Sequence, residues 1–157
     1  MSRLVILRPP WLGLVCLVAA QAAQVARHGA DRWPSELLGN AVVYLIGVNA
    51  IVFGIGHVVF ADRTAAAIGW PVGSPFQFEV GMANFAIGVP AVLAGSRGPD
   101  YWLPLIIAFT VFYGGAAWGH AREIVRAKNH APGNAGPVFY FDFLAPIALI
   151  ALYVAAT

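Results

Sequence analysis

Five long apolar runs, joined by segments rich in Pro, Gly and charge, constrain the fold of this chain more than any other feature. A transmembrane helix needs about 20 consecutive, mostly apolar residues. The runs cover residues 10–26, 37–60, 77–95, 101–121 and 138–155. The sequence therefore predicts an all-α fold: a polytopic membrane protein whose five transmembrane helices form a single integral membrane domain over residues 1–157.

The overall composition excludes most other classes of protein. Hydrophobic residues make up 60% of the chain and charged residues 10%, whereas charged residues are about a quarter of an ordinary soluble domain. A transmembrane β-barrel would alternate apolar and polar residues along each strand, and "LPLIIAFTVFYGGAAWG" does not alternate. The Lys and Arg residues are spread over the ends and connecting segments, so we expect no nucleic acid partner.

The first apolar run allows two interpretations. Arg3 and Arg8 precede it, and Ala20-Gln21-Ala22 resembles the cleavage site of a secretory signal peptide. We expect a retained helix beside a core bundle of four helices, and cleavage would leave those four. The single cysteine, Cys16, excludes an intrachain disulfide and a metal cluster built from cysteines.

The distribution of cations predicts the orientation in the membrane, because Lys and Arg are enriched in short cytoplasmic loops. With five spans, the two sides of the membrane collect different sets: Arg3, Arg8, Arg63, Arg122, Arg126 and Lys128 on one side, and Arg27, Arg32 and Arg97 on the other. The larger set predicts a cytoplasmic N-terminus and an external C-terminus in a bacterial inner membrane.

Ionisable side chains inside apolar segments are costly to bury and are candidates for function. His57, Glu79 and Asp142 each lie in an apolar stretch, with no cation within four residues. His120 and Glu123 lie one helical turn apart where the fourth run ends, in "WGHAREIVRAKNHAPGNAG". Because successive spans alternate in direction, all five residues are expected at the same, cytoplasmic edge of the membrane.

A metal centre is one use that these residue types predict. Imidazole nitrogen and carboxylate oxygen, without thiolate, suit iron, zinc or manganese, and helix bundles build metal sites from inward-facing carboxylates and histidines. The candidate ligands are His57, Glu79, His120, Glu123, His130 and Asp142. Glu123 is also the candidate catalytic residue, as a general base. His130 shares the helix face of His120 only if the helix continues that far, and Pro132 marks its limit.

Structural roles remain open for the same side chains. Glu79 and Asp142 would be stabilised by the helix dipole at the first turns of their helices. His120 and Glu123 would pair with each other, and His57 would donate a hydrogen bond to a buried carbonyl. A haem held between the two histidines His57 and His120 is a further alternative, and it would leave the carboxylates unexplained.

Small and amide side chains within the runs predict how the helices pack. Gly54, Gly56 and the motif Gly115-x-x-x-Gly119 predict close approach of neighbouring helices. Three asparagines are expected to form hydrogen bonds between helices rather than to bind a ligand: Asn40, Asn49 and Asn84. The segment "DRTAAAIGW" predicts a short helix at the membrane interface.

Residues 52–93, "VFGIGHVVFADRTAAAIGWPVGSPFQFEVGMANFAIGVPAVL", resemble the DoxX-like group of small bacterial membrane proteins. Gly54-Ile55-Gly56-His57 matches the Gly-x-x-His helix end of that group, and a short connector containing Pro follows. The acidic position of the group appears here as Asn84, with Glu79 five residues earlier. The rest of the chain is similar to uncharacterised small bacterial membrane proteins. The resemblance implies a four-helix core and an association with membrane redox processes, and it carries over no catalytic residue.

Two classes of function remain open from the sequence. The first is a metal-dependent oxidoreductase acting on a lipophilic or quinone-like substrate that enters from the bilayer; an oxidoreductase is favoured over a hydrolase because no nucleophilic Ser, Cys or Thr motif accompanies the cluster. The second is non-enzymatic, either an accessory subunit of a membrane complex or a small proton-coupled transporter. The lipid bilayer is the expected partner, and a lipophilic small molecule, a second copy of the chain and a subunit of a complex remain open as others.

Overall fold

The computed structural model describes residues 10–31 and 33–157, and every regular element in these two ranges is a helix. In chain order the helices are α1 (Trp11–His28), α2 (Trp33–Val59), α3 (Ala61–Ile68), α4 (Phe76–Val92), α5 (Pro99–Ala127), α6 (Pro132–Ala135) and α7 (Pro137–Ala156). Three of the cations used to predict the orientation lie outside the described residues: Arg3, Arg8 and Arg32.

Each of the five predicted apolar runs forms a helix, so the all-α prediction is confirmed. Within the described part of the chain, three helical segments are long and apolar enough to cross a membrane: Trp33–Val59, Pro99–Ala127 and Pro132–Ala156. The helices formed by the other two apolar runs, α1 and α4, are shorter or more polar. Helix α4 has 17 residues, and α1 carries Gln21, Gln24, Arg27 and His28 in its second half. The short interfacial helix predicted from "DRTAAAIGW" is present as α3.

Helix α2 is continuous but changes its hydrogen-bonding pattern in the middle, where Ala41–Val48 is π-helical. Asn49 follows this segment and is completely buried. Its side-chain oxygen accepts a hydrogen bond from the backbone N–H of Gly13 over 3.0 Å, and its side-chain nitrogen donates to the carbonyl of Leu45 over 3.1 Å. The N–H groups in the first turn of a helix have no partner within that helix. Asn49 accepts a hydrogen bond from one of them and so links the start of α1 to α2.

The other two asparagines also confirm the prediction of hydrogen bonds between helices. The amide of Asn40 on α2 donates to the side-chain oxygens of Gln21 and Gln24 on α1. On α4, the side-chain oxygen of Asn84 accepts a hydrogen bond from the hydroxyl of Tyr113 on α5 over 2.6 Å. Side-chain amides therefore connect α1 to α2 and α4 to α5.

Glycines bring α2 and α4 into close contact. A Cβ atom added at Gly88 would lie 2.9 Å from the backbone nitrogen of Ile51 and 3.0 Å from the carbonyl oxygen of Gly47. A Cβ atom added at Gly54 would lie 2.8 Å from the ring of Phe85. Such distances leave no room for a side chain, so the prediction of a close helix approach at Gly54 is confirmed. At Gly56 a Cβ atom would lie 3.5 Å from the hydroxyl oxygen of Thr64, which is an ordinary contact, so the same prediction is wrong there.

The motif Gly115-x-x-x-Gly119 does not serve this purpose within the chain, and that part of the prediction is wrong. Among the residues that the structure describes, no heavy atom of a neighbouring element would lie within 4 Å of a Cβ atom added at Gly115 or Gly119. The residues of α5 that pack in the core are instead large, and they include Phe109 and Tyr113. Their rings stack with centroids 4.2 Å apart, and Phe141 of α7 packs edge-on against both.

We expect Gly88→Ala to lower the free energy of unfolding by about 1–3 kcal/mol, because the added methyl group forces the backbones of α2 and α4 apart. Gly115→Ala is the matched control. It adds the same methyl group to a helix interior where there is space, and Ala favours a helix over Gly by about 1 kcal/mol. The measurement is the thermal unfolding of the purified variants in detergent. Equal losses of stability in the two variants would contradict the packing described for α2 and α4.

Candidate functional site

A cluster of buried polar side chains lies at one end of the bundle, where α2 and α5 end and α4 and α7 begin. Its members are His57, Gln77, His120, Asn134 and Asp142, and we refer to them as the polar cluster. The exposed fractions of His57, His120 and Asp142 are 8%, 7% and 2%. Two histidines and a carboxylate on three helices that are distant in sequence are therefore shielded from solvent together.

His57 is held by an amide from the next long helix. It lies in the last turns of α2, and Gln77 lies in the first turn of α4. The Nδ1 atom of His57 and the side-chain oxygen of Gln77 are 2.6 Å apart. Gly81, one turn after Gln77, allows this contact because a Cβ atom there would lie 3.3 Å from the Cβ atom of His57. The side-chain nitrogen of Gln77 is buried and has no hydrogen-bond partner within residues 10–31 and 33–157.

His120 is held by an amide from a connecting segment. Helix α5 ends at Ala127, and Lys128 then adopts a left-handed conformation with φ 54°. The chain turns back and places Asn134, on the short helix α6, against the imidazole, with the Nδ1 atom of His120 and the side-chain oxygen of Asn134 2.7 Å apart. The reversal of the chain after α5 therefore supplies a partner for a histidine on α5 itself.

The other contacts of Asn134 decide which way its amide faces. Its side-chain nitrogen donates to the carbonyl of Asn129 over 2.8 Å and to that of His120 over 3.4 Å. The side-chain oxygen must then face the imidazole, so Nδ1 of His120 carries a proton and donates it. This leaves Nε2 as the atom of His120 that can accept a proton or a ligand.

Asp142 lies on the Nε2 side of His120. The distance from Nε2 of His120 to the nearer carboxylate oxygen of Asp142, Oδ2, is 3.6 Å. The second oxygen, Oδ1, is buried and has no hydrogen-bond partner among the described residues. Placing an unpaired carboxylate in an apolar interior typically costs several kcal/mol of folding free energy. Burial of Asp142 therefore costs more than burial of the other groups in the cluster, and the contact with His120 offsets part of that cost.

Aromatic and hydroxyl groups surround the polar cluster. Trp70, in the connector after α3, lies over His120 with the ring planes 24° apart and the centroids separated by 6.4 Å. Tyr113 is seven residues before His120 on α5, which corresponds to about 10 Å along the helix axis. Its hydroxyl is hydrogen-bonded to Asn84. The cluster is therefore covered on one side by an aromatic ring and continued into the bundle by a Tyr–Asn pair.

The predicted site residues divide into two groups. His57, His120 and Asp142 are buried in the polar cluster, as expected from their shared depth. Glu79 and His130 are exposed, and Glu123 is half-buried. Helix α5 ends before His130, so this residue does not share a helix face with His120. Among the described residues, no three His, Cys, Asp or Glu side chains are grouped closely enough to hold a metal ion.

The two amides that orient the histidines, Gln77 and Asn134, are not among the site residues predicted from the sequence. Gln77 and Asn134 do not ionise, so a search for buried charge passes over them. A signal for Gln77 is present in "PFQFEVG". A polar amide between two phenylalanines, at the start of an apolar run, lies at the same membrane depth as His57. Asn134 lies in a connector rich in Pro and Gly, and its sequence contains no signal of a contact with His120.

The structure defines a class of protein before any relative is considered. It is an all-helical bundle with three helices long and apolar enough to cross a membrane, the properties of a membrane protein, and it carries a buried His–Asp pair at one end. The chain belongs to a family whose model matches residues 7–157 and is described as a family of unknown function (DUF6790). No curated protein and no solved structure matches it significantly. The resemblance to the DoxX-like group stays a prediction.

We expect Asn134→Ala to destabilise the protein by about 1–3 kcal/mol, because it leaves the Nδ1–H group of His120 and the carbonyl of Asn129 buried without partners. The variant should also change the tautomer of His120, which nitrogen NMR of the imidazole detects. His130→Ala is the control, since His130 is exposed. An unchanged His120 spectrum in Asn134→Ala would contradict the orientation assigned to this imidazole.

Proposed function

We propose that this protein is a small membrane protein that binds and releases a proton at the His120–Asp142 pair, as part of a transport step or of a larger membrane complex. The observation that carries the proposal is the burial of Asp142 beside Nε2 of His120, with no hydrogen-bond partner for the second carboxylate oxygen in the described part of the chain. Ionisable groups within membrane-spanning segments commonly mark proton or ion pathways.

The pair has two arrangements that differ only in the position of one proton. In the first, a protonated Asp142 faces a neutral His120, and in the second, an ionised Asp142 faces an imidazolium. Both arrangements have the same net charge, so the apolar surroundings do not have to accept a new charge when the proton moves between them. Binding or loss of a further proton does change the net charge. A coupled movement or a partner would therefore be needed to stabilise that state.

The asparagine that holds His120 supports this function. Its amide oxygen fixes the proton on Nδ1, which keeps Nε2 directed at Asp142 as the exchanging atom. A proton-transfer group has to lie within hydrogen-bonding distance of its partner or reach it through one water molecule. The separation of 3.6 Å is slightly longer than a direct hydrogen bond. Direct transfer of a proton would therefore need a small movement or one bridging water molecule.

A transition metal at the same residues is the second candidate function, and one observation favours it. Both imidazoles direct Nδ1 at an amide oxygen, at 2.6 Å for His57 and 2.7 Å for His120. Histidines that bind metals usually donate their other N–H to such an oxygen, which orients Nε2 toward the metal. His57, His120 and Asp142 would then hold iron, zinc or manganese for redox chemistry on a lipophilic substrate. Their grouping in the described structure is too loose for three ligands, so we rank this candidate second.

The membrane arrangement completes the proposal. We propose five spans, with α1 beside a core of four helices, in a bacterial inner membrane. Exposed cations surround the end of the bundle that contains the polar cluster: Arg63, Arg122, Arg126 and Lys128. Because cations are enriched on the cytoplasmic side, this end is the cytoplasmic one.

We expect an infrared spectrum recorded during a pH step to contain a carboxyl band from Asp142 that is lost in Asp142→Asn and shifted in His120→Gln. The shift follows from the loss of the imidazole that faces the carboxylate. Glu79→Gln is the matched control, because it neutralises an exposed carboxylate at the same end of the bundle. Metal analysis of the same samples separates the second candidate.

Three outcomes decide between the candidates. A pH-dependent band that is lost only in Asp142→Asn supports proton exchange at the pair. A stoichiometric transition metal that is lost in His120→Gln supports the metal site and overturns our first choice. The absence of both, in a wild-type protein that is folded, contradicts both candidates.

We expect alkaline phosphatase fused to the C-terminus to be active, and green fluorescent protein fused there to be dark. This result follows from five spans with a cytoplasmic N-terminus, because alkaline phosphatase folds only outside the inner membrane and the fluorescent protein only inside. Fusions placed after Lys128, beside the polar cluster, should give the opposite result. A fluorescent C-terminal fusion would contradict either the number of spans or their direction.

A further inference from the structure

We infer that the two connectors beside the polar cluster, residues 60–75 and 128–136, form a single cap that controls access of water to His120, with Asn129 as the latch between them. The inference concerns access alone, so it holds whether the cluster exchanges protons or binds a metal. It rests on contacts between two segments that are joined by a hydrogen bond between residues 61 positions apart in the sequence.

Asn129 joins the two connectors directly. Its side-chain nitrogen donates a hydrogen bond to the carbonyl of Ile68, at the end of α3, over 2.9 Å. Its side-chain oxygen accepts from the backbone of Ala131 over 3.1 Å, and its carbonyl accepts from Asn134 over 2.8 Å. One residue therefore holds α3 and at the same time supports the asparagine that orients His120.

Two glycines allow the connectors to approach this closely. Gly69 ends α3 with φ +80°, and a Cβ atom there would lie 2.7 Å from the side-chain oxygen of Asn129. A Cβ atom at Gly133 would lie 2.7 Å from the carbonyl oxygen of Ala67. The two connectors thus touch at two separate points, which makes them one unit rather than two independent loops.

The cap includes Trp70, the aromatic residue that covers the polar cluster. Trp70 follows Gly69 immediately, and its indole lies over the imidazole of His120 and near the ring of Phe76. The backbone N–H of Trp70 donates to the carbonyl of Ala65 over 2.9 Å, which ties the position of the ring to α3. Separation of α3 from Asn129 would therefore move Trp70 away from His120.

His57 is expected to respond less than His120 to opening of the cap. Its partner Gln77 belongs to α4 and not to either connector, and no ring of the cap stacks on it among the described aromatic pairs. Opening of the cap should therefore expose His120 more than His57, whereas general loosening of the bundle should expose both. Comparing the exposure of the two histidines distinguishes these movements.

The test is the rate at which diethyl pyrocarbonate modifies each histidine in the full-length protein in detergent, read by mass spectrometry of peptides. His28 is exposed and far along the chain from the cap, so it gives the unprotected rate. We expect His57 and His120 to react more slowly than His28 in the wild type. Asn129→Ala should speed the reaction of His120 by about fivefold, the factor for losing one typical hydrogen bond, with a smaller change at His57.

Two further variants control the experiment. Asp62→Ala removes a hydrogen bond from Gly73 to Asp62 of 3.1 Å, which lies within the first connector and does not join it to the second, so His120 should stay as protected as in the wild type. Gly133→Ala inserts a methyl group between the connectors and should act like Asn129→Ala. The inference is overturned if His120 keeps its wild-type rate in both Asn129→Ala and Gly133→Ala, or if His57 accelerates equally. Failure of proton exchange at Asp142 would leave these rates unchanged, so the two proposals fail separately.

Discussion

The burial of the carboxylate of Asp142 is the constraint on which the end of the bundle depends. A carboxylate with an exposed fraction of 2% requires a partner, and the partner is His120. His120 in turn needs its other nitrogen satisfied, which Asn134 provides, and Asn134 is supported by the carbonyl of Asn129. The packing of the connectors at the surface is therefore linked, through Asn134 and His120, to a single buried carboxyl group.

Close contacts between helices fix the positions of the side chains in the polar cluster. His57 and Gln77 belong to α2 and α4, and these helices are held together by glycines at which any side chain would collide with the opposing backbone. The same pair of helices is flanked by buried amides: Asn49 joins α2 to α1, and Asn84 joins α4 to α5. Buried amides cost free energy unless they are paired, so each of them favours one arrangement of helices over others of similar hydrophobic packing.

Much of the fold could be predicted from the sequence, and less of the site. All five apolar runs are helices within six residues of the predicted bounds, because the length and composition of a run are local properties. The depth of His57, His120 and Asp142 was also predictable, since each lies at the end or the start of its run. Glu79 and Glu123 lie at the same end, but whether a side chain faces the interior depends on helix rotation, which the sequence does not specify.

The sequence by itself determined an all-helical chain with apolar helices, and it determined which ionisable residues lie near one end of them. The length and the apolar composition of the runs are sufficient for that result. The tertiary structure alone decided that Gln77 and Asn134 orient the two histidines, that Glu79 and His130 stay exposed, and that two connectors close over the cluster. These features depend on contacts between residues far apart in the chain, and their geometry is set by how closely the helices pack rather than by any local pattern.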